Sequence, residues 1–420
     1  MTNYEKTDWF TDASLLTDPY PYFEFLRSIG PAVHLPEHKV VAVVGYPEGL
    51  PVFSNHEVFS AINSVTGPIP PLPFVPDGND ITAQLAEHRE AMPMSGLIMT
   101  EDPPVHARSK SLLMGIITPP RLVENEKFMW RLADELIDEF IDTGRFEVAR
   151  DYGRSYAALV VADLLGVPEQ DFAQIRSLKS SLPGRIGAGP AAEANPLQQI
   201  GVRFYQYIDE RRREPRADVM TRLAQVQYRD GTTPAVGDVV KVATFLFGAG
   251  QHTTVLLLSA ALRILAEDQA LQRRLRADRD LLPAFIEEVL RLQGPTKADY
   301  RLAVKRTRIG HVDIPAGTTV MLLVGAMNRD PRHFVDPNDI KLDRRSPKDH
   351  VAFGRGVHAC AGAPLARAEA KISLERFLDR MVDIRIDESV HGPAGSRSFT
   401  YEPSFTIRGL NELGLVFSRG

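Results

Sequence analysis

Cys360 is the only cysteine in a chain of 420 residues. It closes the run Phe353-Gly354-Arg355-Gly356-Val357-His358-Ala359-Cys360, with Gly362 two residues on. Glycines two apart, Gly354 and Gly356, let a loop fold tightly and bring its backbone close to something flat or bulky. From Ala363 toward Phe377 the sequence reads as a helix, and Pro364 is tolerated in its first turn. The thiol therefore precedes a helix N-terminus, where outward N–H groups and the helix dipole favour a thiolate. Such a thiolate is a good ligand for a soft or borderline metal. A lone cysteine in an arbitrary context is more often a small buried apolar residue. The chemistry therefore depends on what else the chain carries.

Three other stretches bear on it. Ala249-Gly250-Gln251-His252-Thr253-Thr254 falls inside a long apolar helix, and its small residues leave one face low enough for a flat ligand. Thr253 is placed to bond back to the carbonyl of Ala249 and loosen the helix there. Glu288 and Arg291 stand at the spacing of an on-helix ion pair, and His106 and Lys110 share a helix face. Each of these, alone, reads as an ordinary structural feature.

Together they resemble the cytochrome P450 family. Phe353, Gly354, Gly356, His358, Cys360, Gly362, Leu365, Ala366 and Arg367 fill every fixed position of that family's haem-binding loop. The resemblance covers nearly the whole chain, with four motifs in the expected order. It implies a mainly α architecture with small β-sheets, the cytochrome P450 fold, binding haem b through a Cys360 thiolate that pushes electron density toward the iron. Phe353, Gly354, Ala249 and Gly250 are then expected beside the cofactor. His106, Lys110, Arg301 and His358 are expected at its propionates. The family usually has arginine where Lys110 stands, and lysine brings a point charge without the bidentate fork.

The same resemblance matches Thr253 to the threonine that orders water and protons around dioxygen. His252 departs from the pattern, since the family usually carries a carboxylate there. Histidine can relay protons; it could equally face substrate or bond to a neighbouring helix. The Glu288/Arg291 motif is expected to close on a basic residue upstream of the cysteine loop. Counting back from Phe353 gives Arg345, with Arg344 as the adjacent alternative. Thr296, Ala298 and Phe405 are expected to line a substrate pocket, and either Lys297 or Asp299 to face away from it.

The elements that must position these residues follow from pattern. A short helix is expected over 18–29, then a hairpin of Val33–Leu35 with Val40–Val44. Pro68, Pro70, Pro71, Pro73 and Pro76, with Gly67 and Gly78, block regular structure over 61–82. In the resembled family that region roofs the substrate pocket. Helical periodicity runs over 121–141, 152–165, 197–213 and 281–292, and a long central helix over 236–267. A Gly/Pro/Ala-rich break over 181–196 is suited to a gate. The basic end of 197–213 reads as a solvated helix end. Strands are expected over 297–304 and 320–324. A C-terminal hairpin pairs 399–401 with 405–407, its tip at Pro403 and Ser404. One catalytic domain spans 1–420, with a β-rich lobe at about 30–60 and 297–325 and a helical lobe for the remainder.

Composition bounds the rest. The chain is 44% hydrophobic and 25% charged with a net charge of −5, an ordinary globular balance that argues against a bulk nucleic-acid binder. One cysteine excludes an internal disulfide. Residues 1–10 carry no apolar signal core. Gln251, His252 and Arg263 interrupt the longest apolar stretch, so no membrane span is expected and a cytoplasmic location follows. The function implied is a haem-thiolate monooxygenase that inserts one oxygen atom of O2 into an apolar small molecule. Its electrons would come from a separate ferredoxin and an NAD(P)H-dependent ferredoxin reductase. Arg108, Arg355 and Arg367 are candidates for a basic docking face. A peroxide-using or ring-coupling haem-thiolate enzyme, or a non-enzymatic haem binder, are the alternatives.

Overall fold

A computed structural model describes residues 4–177, 196–228 and 230–420. The Gly/Pro/Ala-rich break over 181–196 lies outside the described residues, save for the backbone of Pro196.

The molecule is assembled on one helix, Val236–Glu267. Its side chains are apolar nearly all round, which requires burial on nearly every side. Helices Arg154–Leu165, Pro196–Arg213, Leu282–Gln293 and Ala363–Arg380 all pack against it. The interruptions at Gln251, His252 and Arg263 do not rule out a span as expected: by length and composition the helix could cross a bilayer. Of its most apolar window 67% is buried inside the protein.

A five-stranded sheet sits to one side. Its order is Ala32–Leu35, Val40–Val43, Thr319–Leu322, Asp299–Ala303, Phe59–Ser60. The first two strands form the expected hairpin, Ala32 opposite Val43 and Leu35 opposite Val40. Between them Pro36–His38 makes a tight turn that Lys39 ends with φ +52°. The Val40–Val43 strand is parallel to Thr319–Leu322 and buried throughout. That burial explains why it reads as a continuous apolar run rather than an alternating one. Val324 starts a short helix, Val324–Met327, rather than ending the strand.

Helices Tyr20–Ile29, Pro119–Asp138, Pro196–Arg213 and Leu282–Gln293 fall within a few residues of the ranges read from periodicity. Arg145–Glu147, Met381–Ile386 and Gly414–Arg419 form a three-stranded antiparallel sheet.

The C-terminal segment departs from the expected hairpin. Tyr401 bridges to Leu410, and Ile407 bridges to Thr296. Ser404 dictates this: its hydroxyl accepts from the N–H groups of Thr406 and Ile407, and its carbonyl accepts from Lys297. The tip residues are thus committed to a side-chain-capped turn, and no strand ladder forms between 399–401 and 405–407.

Candidate active site

The loop before Cys360 is shaped by its two glycines. Gly354 and Gly356 have φ of +64° and +70°. A Cβ on Gly356 would lie 2.5 Å from the Phe53 carbonyl oxygen, so no other residue fits. The Cys360 N–H donates to the Phe353 carbonyl at 2.9 Å. The helix that follows, Ala363–Arg380, begins with Pro364 in its first turn.

Cys360 is solvent-accessible, yet protein surrounds it closely enough that burial pushes its thiol pKa up. The N–H groups of Gly362 and Ala363, with the charges of Lys110 and Arg367, pull the other way and favour the thiolate. Ala249 also opens to solvent in mid-helix, between buried Gly248 and half-buried Gly250. Thr253 donates to the Ala249 carbonyl at 2.9 Å, the back-bond its spacing suggests. Gly250 also has a packing role. A Cβ there would stand 3.0 Å from Val161, so its smallness admits the Arg154–Leu165 helix.

Four basic side chains gather beside the cysteine loop. The rings of His106 and His358 lie 4.0 Å apart. His358 Nε2 is buried without a hydrogen-bond partner. Burial, then the neighbouring charges of His106, Arg301 and Lys110, hold the His358 pKa down to about 3. Arg301 is buried and donates to Asp299 Oδ1 at 2.8 Å and to the Tyr300 carbonyl at 2.6 Å. Lys110 donates to the carbonyls of Val357 and Ala359, at 2.5 and 2.9 Å. Three donors on a flexible stem let it clamp the loop itself rather than stand off as a fork.

Glu288 and Arg291 form a fully buried, bidentate pair at 2.7 and 2.8 Å. The partner is Arg344, whose Nε lies 2.8 Å from Glu288 Oε1, and not Arg345, which is exposed. The two arginines are adjacent, and the irregular stretch between them and Phe353 has no period to decide which one turns inward. Arg291 also donates to the carbonyls of Asn328 and Asp339 at 3.0 and 2.9 Å. A second cluster, which sequence reading missed, anchors the loop. Arg367 forks onto Glu287 at 2.6 and 2.9 Å and lies over the Phe353 ring. His350 bonds to the same carboxylate at 2.9 Å. Burial would raise the Glu287 pKa, but these two bonds outweigh it and hold it at about 2. Arg367 is therefore spent within the fold. Arg355 is tied to Asp349, and Arg108 lies over Tyr228.

His252 has a partner that no motif points to. Its Nε2 lies 3.2 Å from Glu402 Oε1, on the C-terminal loop. Of the expected pocket residues, Ala298 and Phe405 belong to the cluster around Trp9, Tyr22 and Phe23. Thr296 lines a small cavity with Lys297. Neither charge flanking Ala298 is left over: Lys297 is buried and bonded to the Ser404 carbonyl, while Asp299 holds Arg301.

Comparison with known proteins follows the same lines. The family model for cytochrome P450 matches residues 194–382. Cytochrome P450 144 of Mycobacterium tuberculosis is 30% identical over 388 residues, 90% of this chain and 86% of that protein. The cytochrome P450 monooxygenase PikC of Streptomyces venezuelae is 30% identical over 409 residues, 96% of this chain and 92% of its own. The substrate-free structure of CYP150A6 from Mycobacterium marinum superposes with a TM-score of 0.94 at 51% identity and covers 100% of both chains. With relatives this similar over this much of its length, and with a cysteine loop built as described, the chain belongs to the cytochrome P450 family.

Proposed function

We propose that the chain is a monooxygenase that takes haem b between the central helix and the cysteine loop and inserts one oxygen atom of O2 into an apolar small molecule. The observation that carries this reading is the setting of Cys360. The one thiol of the chain is solvent-accessible on the glycine-shaped loop before the Ala363–Arg380 helix, where two backbone N–H groups and two cations oppose the burial that raises its pKa.

The residues present fit the cofactor. His106, Arg301, Lys110 and His358 crowd together, and among the described residues His358 Nε2 has no hydrogen-bond partner. A group bearing two carboxylates would satisfy that arrangement. Cys360 would hold the iron, and bound haem would supply the activation of dioxygen. The chain's own residues do the rest. Gly354 and Gly356 would let the loop approach the macrocycle, and Ala249 would leave room for it along the central helix. Thr253, its hydroxyl hydrogen committed to Ala249, presents lone pairs that hold a water in place. His252 passes a proton toward that water, and Glu402 holds the imidazole by Nε2.

Ferredoxin and an NAD(P)H-dependent reductase would supply electrons. Reconstitution tests this. Turnover with NAD(P)H, ferredoxin and reductase, but none with hydrogen peroxide alone, is the expected result. Turnover with peroxide alone at a comparable rate would favour a peroxide-driven enzyme instead. The substrate class is read from spin-state shifts on titration with steroids, terpenoids, fatty acids and aromatics, and the pocket should favour largely apolar ligands.

A further inference from the structure

The Glu287 carboxylate is reached from both ends of the cysteine loop. Ahead of the loop, His350 Nε2 lies 2.9 Å from Oε2. Behind it, Arg367 donates to Oε1 and Oε2 at 2.6 and 2.9 Å. These two residues stand ten before and seven after Cys360. Glu287 itself rides on the Leu282–Gln293 helix, where the next residue, Glu288, is locked to Arg291 and Arg344. The anchor is therefore fixed independently of the loop it holds.

The His350 ring uses both of its nitrogens. The Ala352 N–H donates to Nδ1 at 3.2 Å. A backbone N–H can only donate, so Nδ1 accepts and carries no proton. The ring proton is then on Nε2, where Glu287 accepts it. The two side chains are 1% and 4% exposed, which shields both bonds from competing water. The hold passes on toward the ligand. Ala352 precedes Phe353, whose carbonyl accepts the Cys360 N–H at 2.9 Å. The Phe353 ring lies 4.7 Å from the Arg367 guanidinium. The residue that receives the Cys360 N–H is thus held through its backbone by His350 and through its ring by Arg367, and both lead to one carboxylate.

We infer that Glu287 and His350 are positioning residues for Cys360: the carboxylate clasps the loop at both ends, and the neutral imidazole carries its hold to the Ala352 N–H, keeping the sulfur where it can ligate the iron. The effect on the ligand rests on the haem-thiolate reading. The clasp rests on the hydrogen bonds alone, so the two can be tested separately.

The test uses the haem-loaded full chain as wild type, His350→Gln and Glu287→Gln. Glutamine at 350 can still reach Glu287 with its amide, but it takes the acceptor away from the Ala352 N–H. Glutamine at 287 keeps the shape and removes the charge. Hydrogen exchange over residues 350–360, read by mass spectrometry, should quicken roughly tenfold in both variants, with exchange in the Val236–Glu267 helix unchanged. In the same proteins the red-shifted Soret band of the reduced carbon monoxide complex should give way at a lower urea concentration than in wild type, while haem is still bound. If Glu287→Gln does not fold, His350→Gln carries the test. Wild-type exchange over 350–360 in folded His350→Gln overturns the inference. So does acceleration spread evenly through the chain, since the pair would then serve overall stability only. Faster loop exchange with the band as resistant as in wild type overturns the positioning role. A wild type that lacks the red-shifted band defeats the haem-thiolate reading instead, and the exchange result then decides the clasp by itself.

Discussion

His252 Nε2 lies 3.2 Å from Glu402 Oε1, so the C-terminal loop brings a carboxylate to the central helix one residue before Thr253. The family's usual pattern places that carboxylate on the helix itself. Here the helix offers an imidazole, and the acid arrives from 150 residues away. At that distance the imidazole and the carboxylate form an ion pair whenever the histidine is protonated. The proposed relay therefore has two parts instead of one.

The two parts should fail together. His252→Ala and Glu402→Ala are each expected to lower product formed per NAD(P)H consumed by roughly tenfold, toward the low end of general acid–base effects. The double variant should be no worse than either single one, because both remove the same relay. Both side chains are partly exposed, so unfolding midpoints should barely move. Unchanged coupling in both variants would contradict the role assigned to His252. A loss confined to His252→Ala would leave Glu402 without a part.

Glu288, Arg291 and Arg344 form a closed network with side chains 0%, 0% and 9% exposed. Removing one member strands a buried charge. Glu288→Ala or Arg291→Ala should cost ~3–5 kcal/mol in urea unfolding, with haem lost on purification. Arg344→Ala should weaken the fold measurably, whereas Arg345→Ala should be silent. The reverse order for the last two would contradict the observed pairing.

Glu369 gives the chain a pH dependence of stability. It is fully buried; burial raises its pKa to about 8, against a single hydrogen bond from Thr254 at 2.9 Å. The native state therefore keeps a proton that the unfolded chain releases near pH 4.5. Between those values the native state binds more protons, so stability is full below about 4.5, declines as pH rises toward 8 and levels off above it. Glu369→Gln keeps the shape without the titration. Against wild type it should be near neutral at pH 5 and more stable by a few kcal/mol at pH 9. A difference between the two proteins that does not change with pH would contradict the assignment.

The legible parts of this molecule are local. The central helix came out of its apolar run because no neighbour had to be known to see it. Thr253 and its bond to Ala249 are four residues apart, and the cysteine loop is continuous. What stayed hidden depends on distant contacts. Nothing near Glu402 says that it meets His252, and nothing near Glu287 says that Arg367 and His350 converge on it. Gly250 illustrates a different point: glycine in a helix says that something comes close, but its sequence does not name Val161. At Ser404 a hydroxyl capped the turn where alternating apolar residues had suggested strands.

The central claim is that Cys360 ligates haem iron as a thiolate. It is tested most directly by the carbon monoxide difference spectrum of the reduced protein, for wild type and Cys360→His. A strongly red-shifted Soret band in wild type, lost in the variant, is the predicted result. Normal haem content without that band in wild type, or the band persisting in the variant, would contradict it.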